Sequence, residues 1–331
     1  MNIAMLGTGT WGLALSDLLA KKGHEVRAYS PFPKEIEKLK GSHSHPRFPG
    51  TALDPGILFT ADLKEALVGA GLAVYASPSP YVRDMARNSL PRLSSSIKSL
   101  VSVSKGLEDQ TFLTMSEVIE EETKKGFPVV ALSGPTHAEE VVKGLPTLCV
   151  AASKNKEAAR LVRDVFSSSC FRVYDSGDIY GVEICGAIKN IMALASGIAE
   201  GLGYGDNARA ALISRGLLEM MRLGTALGAK KETFYGLAGL GDLVVTATSY
   251  HSRNHECGVY IGQGYGLEEA VSKVAMAVEG LNALDAAYHL GRKKGLELPI
   301  IEAVHAVVRE GLDPNKAVEG LLARPLKEEV L

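Results

Sequence analysis

Disulfide chemistry has little to work with in this chain. Its 331 residues include four cysteines, Cys149, Cys170, Cys185 and Cys257, none paired as C-x-x-C and each in an apolar or helical context. They read as small reduced hydrophobes, which favours a reducing compartment. No run of Lys and Arg stands out among 36 basic and 38 acidic side chains, so no nucleic-acid partner is expected. No apolar run approaches the roughly 18 residues of a spanning helix, so no stable membrane insertion is expected. The chain opens on a strand-like run, Asn2–Leu6, with neither a basic stretch nor a cleavage pattern, and no signal peptide is expected. Together these absences point to the cytoplasm. Internal repeats, low-complexity segments, a G-x-x-x-x-G-K-[ST] loop and an H-E-x-x-H motif are also missing. His43 and His45 form an H-x-H near Pro46, but no further ligand pattern joins them; a surface loop is the simpler reading and no metal is expected.

What is present divides into two halves. Up to about residue 175, β-rich runs alternate with helical stretches such as Trp11–Lys22 and Asn155–Ser167. The expected strands are Asn2–Leu6, Glu25–Tyr29, Leu72–Ala76, Ser99–Val103, Val129–Leu132, Thr147–Ala151 and Phe171–Tyr174. This alternation implies βαβ units and a mostly parallel sheet. Beyond about residue 178, Val182, Cys185, Ile188, Met192, Ala195 and Ile198 recur at helical spacing. Leu212–Leu227, Glu268–Val278, Leu281–Lys294, Ile301–Glu310 and Pro314–Ala323 read as further helices, and Gly236–Gly241 as a loop between helices. The expected fold is α/β, with a parallel-sheet domain over residues 1–177 and an all-helical domain over 178–331.

Gly7-Thr8-Gly9-Thr10-Trp11-Gly12 lies between the first strand and the first helix. This is G-x-G-x-x-G in the setting its chemistry requires. The first glycine permits a tight turn, the second lets backbone approach a pyrophosphate, and the third allows close helix–strand packing. The helix N-terminus then offers N–H groups to the phosphates. The first domain is therefore expected to be of Rossmann type and to bind a nicotinamide dinucleotide. After the second strand the segment is Ser30-Pro31-Phe32-Pro33-Lys34, without an acid at the strand end. That leans toward NADP and leaves NAD open.

Further motifs are Ser104-Lys105-Gly106, Ser133-Gly134-Pro135-Thr136, Lys189-Asn190, Gly239-Leu240-Gly241-Asp242-Leu243 and Ser252-Arg253-Asn254. Taken singly, lysines are usually solvated and glycine–aspartate turns are usually only turns. Lys189 differs, because its helix neighbours Cys185, Gly186, Met192 and Ala193 carry no charge. A lysine on an apolar helix face either snorkels or is placed for chemistry. Reduction of a ketone needs a proton donor beside the carbonyl oxygen, and lysine can serve.

In order along almost the whole chain, these motifs, together with Asn207-Ala208-Arg209, Leu212–Gly216 and Val278-Glu279-Gly280, resemble the bacterial NAD(P)-dependent glycerol-3-phosphate dehydrogenase family. The resemblance implies reversible reduction of dihydroxyacetone phosphate to sn-glycerol 3-phosphate, supplying glycerophospholipid synthesis. It implies that Lys189 transfers the proton, and that Asp242 lies at the substrate hydroxyls. Lys105 would lie between cofactor and substrate, with Gly134 and Thr136 also contacting substrate. Ser252, Arg253 and Asn254 would hold the phosphate of the triose. Cofactor contacts would come from Gly7, Gly9, Thr10, Trp11, Gly12, Lys105, Ala138, Arg253, Ala277 and Glu279. The family often carries His or Arg just after the second strand, where this chain has Ser30-Pro31-Phe32; Arg27 or Lys34 would have to substitute in holding a 2′-phosphate. A homodimer is compatible with this reading. Two alternatives are a 3-hydroxy-acid or 6-phosphogluconate dehydrogenase and a non-catalytic nucleotide sensor. The first is not expected to join Gly239–Leu243 with Ser252–Asn254, and the second has no need of Lys189, Asp242 and Arg253.

Overall fold

The computed structural model describes residues 1–326, 328 and 329; Lys327, Val330 and Leu331, at the end of the expected helical half, lie outside the described residues. The strands are β1 (Asn2–Leu6), β2 (Glu25–Tyr29), β3 (Leu58–Thr60), β4 (Leu72–Tyr75), β5 (Ser99–Ser102), β6 (Val129–Ser133), β7 (Thr147–Ala152) and β8 (Phe171–Ser176). Among them run α1 (Thr10–Lys21), α2 (Pro33–Ser42), α3 (Leu63–Leu67), α4 (Val82–Ser89), α5 (Met115–Glu122), α6 (Ala138–Val141) and α7 (Lys156–Phe166). Thereafter come only helices: α8 (Ile179–Gly201), α9 (Asp206–Ala226), α10 (Lys231–Tyr235), α11 (Asp242–Thr248), α12 (Arg253–Gly262), α13 (Leu267–Val274), α14 (Glu279–Lys294), α15 (Pro299–Arg309) and α16 (Pro314–Leu322). Two compact units result, Met1–Lys105 with Leu113–Ile179, and Gly106–Phe112 with Tyr180–Leu331.

In the first unit the strands form one sheet in the order β3-β2-β1-β4-β5-β6-β7-β8. All neighbours are parallel except β6 and β7. Alternate residues serve opposite faces: Ile3, Met5, Leu72 and Val74 join one core, while Ala4, Leu6, Ala73 and Tyr75 join the other. A strand covered on both faces has no polar side, which is why β1 and β4 read as continuous apolar runs. The expected strands are all present. β3 is an addition that escaped notice because it has three residues, lies at the sheet edge and leaves Leu58 half in water.

The second unit is built on α8. Over its 23 residues it is apolar enough to cross a membrane by length and composition, contrary to the expectation that no run approaches that length, but its most apolar window is wholly buried inside the protein. A helix that is hydrophobic all round belongs in a core. Its contact with α12 is made by backbone. A Cβ on Gly197 would lie 2.0 Å from the His255 carbonyl oxygen, and one on Gly258 would lie 2.2 Å from that of Leu194. Gly201 and Gly262 meet the carbonyls of Val259 and Ile198 in the same way. Four glycines thus set the depth to which α12 sinks onto α8.

Glu219 of α9 is buried, and its carboxyl accepts N–H bonds from Ile300 (2.7 Å) and Ile301 (3.1 Å) at the start of α15. Burial raises its pKa to about 7, although those two N–H groups pull the other way.

Two stability predictions follow from this packing. Gly258→Ala should lower the melting temperature, because overpacking of about 1–3 kcal/mol exceeds the gain in helix propensity. Gly320→Ala in α16, where an added Cβ meets nothing within 4 Å, should raise it slightly. Thermal scans in which both variants move the same way would refute the contact argument. For Glu219, the folded chain holds the proton up to about pH 7, while the unfolded chain releases it near the ordinary carboxylate value. The unfolded state therefore binds fewer protons in this window, and stability falls as pH rises toward 7 by on the order of 3 kcal/mol from this group. Glu219→Gln should remove that slope in denaturant titrations between pH 5 and 8; an unaltered difference between the two pH values would contradict it.

Candidate functional site

The glycine motif lies where the sheet order reverses, between β1 and β4, at the carboxyl ends of the strands. In doubly wound sheets such a point is where ligands bind. Gly7, at φ +139°, donates its N–H to the Tyr29 carbonyl (3.0 Å), and a Cβ there would strike the Ala76 carbonyl oxygen at 2.5 Å. A Cβ on Gly12 would lie 2.2 Å from the Gly7 oxygen, so the first and third glycines pack on each other. Gly9 differs: nothing lies within 4 Å of its missing Cβ, and it caps α1 without a side-chain hydrogen bond. An open concavity lined by first-turn N–H groups is the shape a pyrophosphate fits. Thr10 and Trp11 form that first turn, and the buried indole N–H of Trp11 has no hydrogen-bond partner among the described residues. These features fit a dinucleotide.

Farther along the same sheet, Lys105 follows β5. Its Nζ donates to the Gly134 carbonyl (2.9 Å) and to Thr136 Oγ1 (3.4 Å), while the Thr136 hydroxyl donates to the same carbonyl (3.0 Å). Gly134, at φ +151°, presses against Cys149, whose Cα would be 2.9 Å from an added Cβ. Ala138 is buried at the first position of α6. The structure thus brings Lys105, Gly134 and Thr136 into one cluster.

The helical unit carries a second cluster. Lys189, on α8, is 4% exposed, and its ammonium donates to Asp242 Oδ1 (2.5 Å) and Thr246 Oγ1 (2.7 Å). Asp242 is 1% exposed and opens α11, directly after Leu237–Gly241. That segment, expected as a loop, is a π-helical turn. Gly239 makes it possible, since a Cβ there would fall 2.2 Å from the Phe234 carbonyl oxygen. Thr246 also donates to the backbone carbonyl of Asp242 (2.6 Å). Sequence reasoning gave Thr246 no role, yet it stands four residues after Asp242 and so on the same helix face.

Ser252 caps α12, its hydroxyl accepting the His255 N–H (3.3 Å). His251 lies just before that helix, and His255 lies in its first turn. Asn254 is a brace: its amide oxygen accepts the Gly280 N–H (2.8 Å), and its NH2 group donates to Asn190 Oδ1 (3.0 Å). Arg253 is half-buried, with no hydrogen bond or ion pair to its guanidinium among the described residues. Ala277 is exposed just before α14, and Glu279 is that helix's first residue.

Two family models cover the chain. Residues 2–159 match the N-terminal part of NAD-dependent glycerol-3-phosphate dehydrogenase, and residues 178–319 match its C-terminal part. The chain is 46% identical to glycerol-3-phosphate dehydrogenase [NAD(P)+] 2 of Lactobacillus delbrueckii subsp. bulgaricus, over 99% of each chain. It is also 46% identical to glycerol-3-phosphate dehydrogenase [NAD(P)+] of Fusobacterium nucleatum, over 100% of this chain and 99% of the relative. The crystal structure of glycerol-3-phosphate dehydrogenase from Coxiella burnetii superposes with a TM-score of 0.92 at 38% identity, covering 97% of this chain and 98% of that one. With both models matched in order and such identity over the full length, the chain belongs to the NAD-dependent glycerol-3-phosphate dehydrogenase family.

Proposed function

We propose that this chain catalyses the reversible NAD(P)H-dependent reduction of dihydroxyacetone phosphate to sn-glycerol 3-phosphate. The observation that carries the reading is Lys189, an ammonium buried in an apolar helix and held by Asp242 and Thr246. The bound dinucleotide supplies the hydride. The chain's own residues do the rest. Gly7, Gly9, Thr10, Trp11 and Gly12 cradle the pyrophosphate end, with Ala138, Ala277 and Glu279 as further cofactor contacts. Lys189 gives its proton to the carbonyl oxygen, which would otherwise carry the negative charge developing on reduction. Asp242 fixes that ammonium and accepts from the neighbouring substrate hydroxyl. Lys105, Gly134 and Thr136 contact the substrate, Lys105 also facing the cofactor.

Arg253 holds the substrate phosphate, since its planar fork suits phosphate oxygens and it has no partner to give up among the described residues. Arg253 also touches the cofactor. Ser252 adds its hydroxyl donor. Asn254 commits its oxygen and one N–H internally, which leaves one N–H for a phosphate oxygen. The same reading is compatible with a homodimer, and it places the enzyme in the cytoplasm, supplying glycerophospholipid synthesis.

Two kinetic tests follow. Lys189→Ala should lower kcat by roughly two to four orders of magnitude, as for a lost general acid. It also strands Asp242 as a buried charge, so NADH and NADPH affinity serves as the control for folding and should change little. Near-normal kcat would remove Lys189 from the proton transfer. Arg253→Ala should reduce kcat/KM for dihydroxyacetone phosphate by an amount on the order of 2–4 kcal/mol of transition-state binding. Its activity on unphosphorylated dihydroxyacetone should barely change. Equal losses on both substrates would place Arg253 elsewhere.

A further inference from the structure

The sequence places no acid at the end of β2, yet the structure delivers one there from the next helix. Glu35 sits in the first turn of α2 and is half-buried. Thr8, inside the glycine motif, donates its hydroxyl to Oε1 (2.7 Å), and Ser30, directly after β2, donates to Oε2 (2.8 Å). Both hydroxyl residues are 3% exposed. The carboxylate is thus pinned between the first phosphate-binding turn and the end of the second strand. That is where the adenosine ribose of a dinucleotide lies and where an acid accepts from its 2′-hydroxyl. Each carboxylate oxygen has a further lone pair after accepting one hydroxyl.

The two basic groups that the sequence offers beside the end of β2 are placed otherwise. Arg27 donates to the carbonyl oxygens of Glu65 (3.2 Å) and Val68 (2.7 Å) at the end of α3, and pairs with Glu25 (2.5 Å). Its guanidinium caps a helix instead of facing the ribose. Lys34 is exposed at the start of α2.

We propose that Glu35, held by Thr8 and Ser30, reads the ribose 2′-hydroxyl and makes this chain prefer NAD over NADP. A 2′-phosphate would bring two negative charges against a fixed carboxylate, and burial keeps the neighbouring His45 imidazole toward its neutral form. The tilt toward NADP drawn from the bare strand end is thereby reversed: the acid is present, but six residues after β2.

The inference rests on the dinucleotide reading above, and the test separates the two. NADH and NADPH are titrated calorimetrically into the native chain, Glu35→Gln and Lys34→Ala, without substrate. The native chain should bind NADH roughly tenfold or more tighter than NADPH, because an unscreened like charge costs at least the 1.4 kcal/mol that this ratio represents. Glu35→Gln keeps the side chain's shape, and it should close most of that gap by tightening NADPH. Lys34→Ala should leave the NADH preference in place. Comparable affinities in the native chain overturn the proposal without any variant, and so does a ratio that survives Glu35→Gln. Binding of neither cofactor overturns it together with the dinucleotide reading.

Discussion

The helical unit is arranged around a buried ammonium whose hydrogen-bonded carboxylate lies on another helix. Lys189 is almost wholly buried, and its neighbours one turn away are Cys185, Gly186, Met192 and Ala193. A buried ammonium without a partner costs several kcal/mol, so Lys189 needs a counter-charge. It comes from Asp242, which opens α11 directly after the π turn. The chain reaches that position through the π turn at Leu237–Gly241, which closes only because residue 239 has no side chain. The Gly-Leu-Gly-Asp run is therefore the backbone solution to placing one anion.

A second constraint is the backbone contact of α8 with α12. Where Gly197 and Gly201 face Gly258 and Gly262, no side chain separates the helices. That depth brings Asn254, in the first turn of α12, within reach of Asn190, the residue after Lys189. Asn254 also fixes Gly280 at the start of α14. The first turn of one helix, the middle of a second and the start of a third are thus tied by one amide. Arg253 projects from the anchored turn and has nothing to hold among the described residues. A rigid mount for an uncommitted guanidinium suits a ligand anion better than it suits the fold.

Much of this was legible in the sequence, because the signals are local. The strands alternate their faces, and the glycine motif carries its strand and helix beside it. Lys189 announced itself by the apolar residues one turn away. What escaped notice depends on positions distant in the chain. The glycines of α8 and α12 look like any helix-weakening glycine until the facing carbonyl is known. Glu219 looks like a solvated helix residue until α15 is laid over it. Leu237–Gly241 read as a loop because its glycines mask the turn they permit. Gly106–Phe112 groups with the helical unit although it lies between two stretches of the sheet unit, and nothing in its composition announces that.

The sheet unit handles its charges differently. Lys189 meets an opposite charge, whereas Glu35 accepts from two hydroxyls, and Lys105 donates to a carbonyl and a hydroxyl. A hydroxyl fixes a carboxylate without cancelling its charge, so the field of Glu35 still acts on a ligand. In the strand order, β2 and β5 lie on opposite sides of the pair β1 and β4. A ligand laid along the carboxyl ends of these strands would meet a carboxylate past β2, the α1 N-terminus past β1 and an ammonium past β5. Negative charge is favoured at the last two positions and disfavoured at the first. On the reading proposed above, the unit would accept a dinucleotide's pyrophosphate and discourage any further phosphate at the adenosine end.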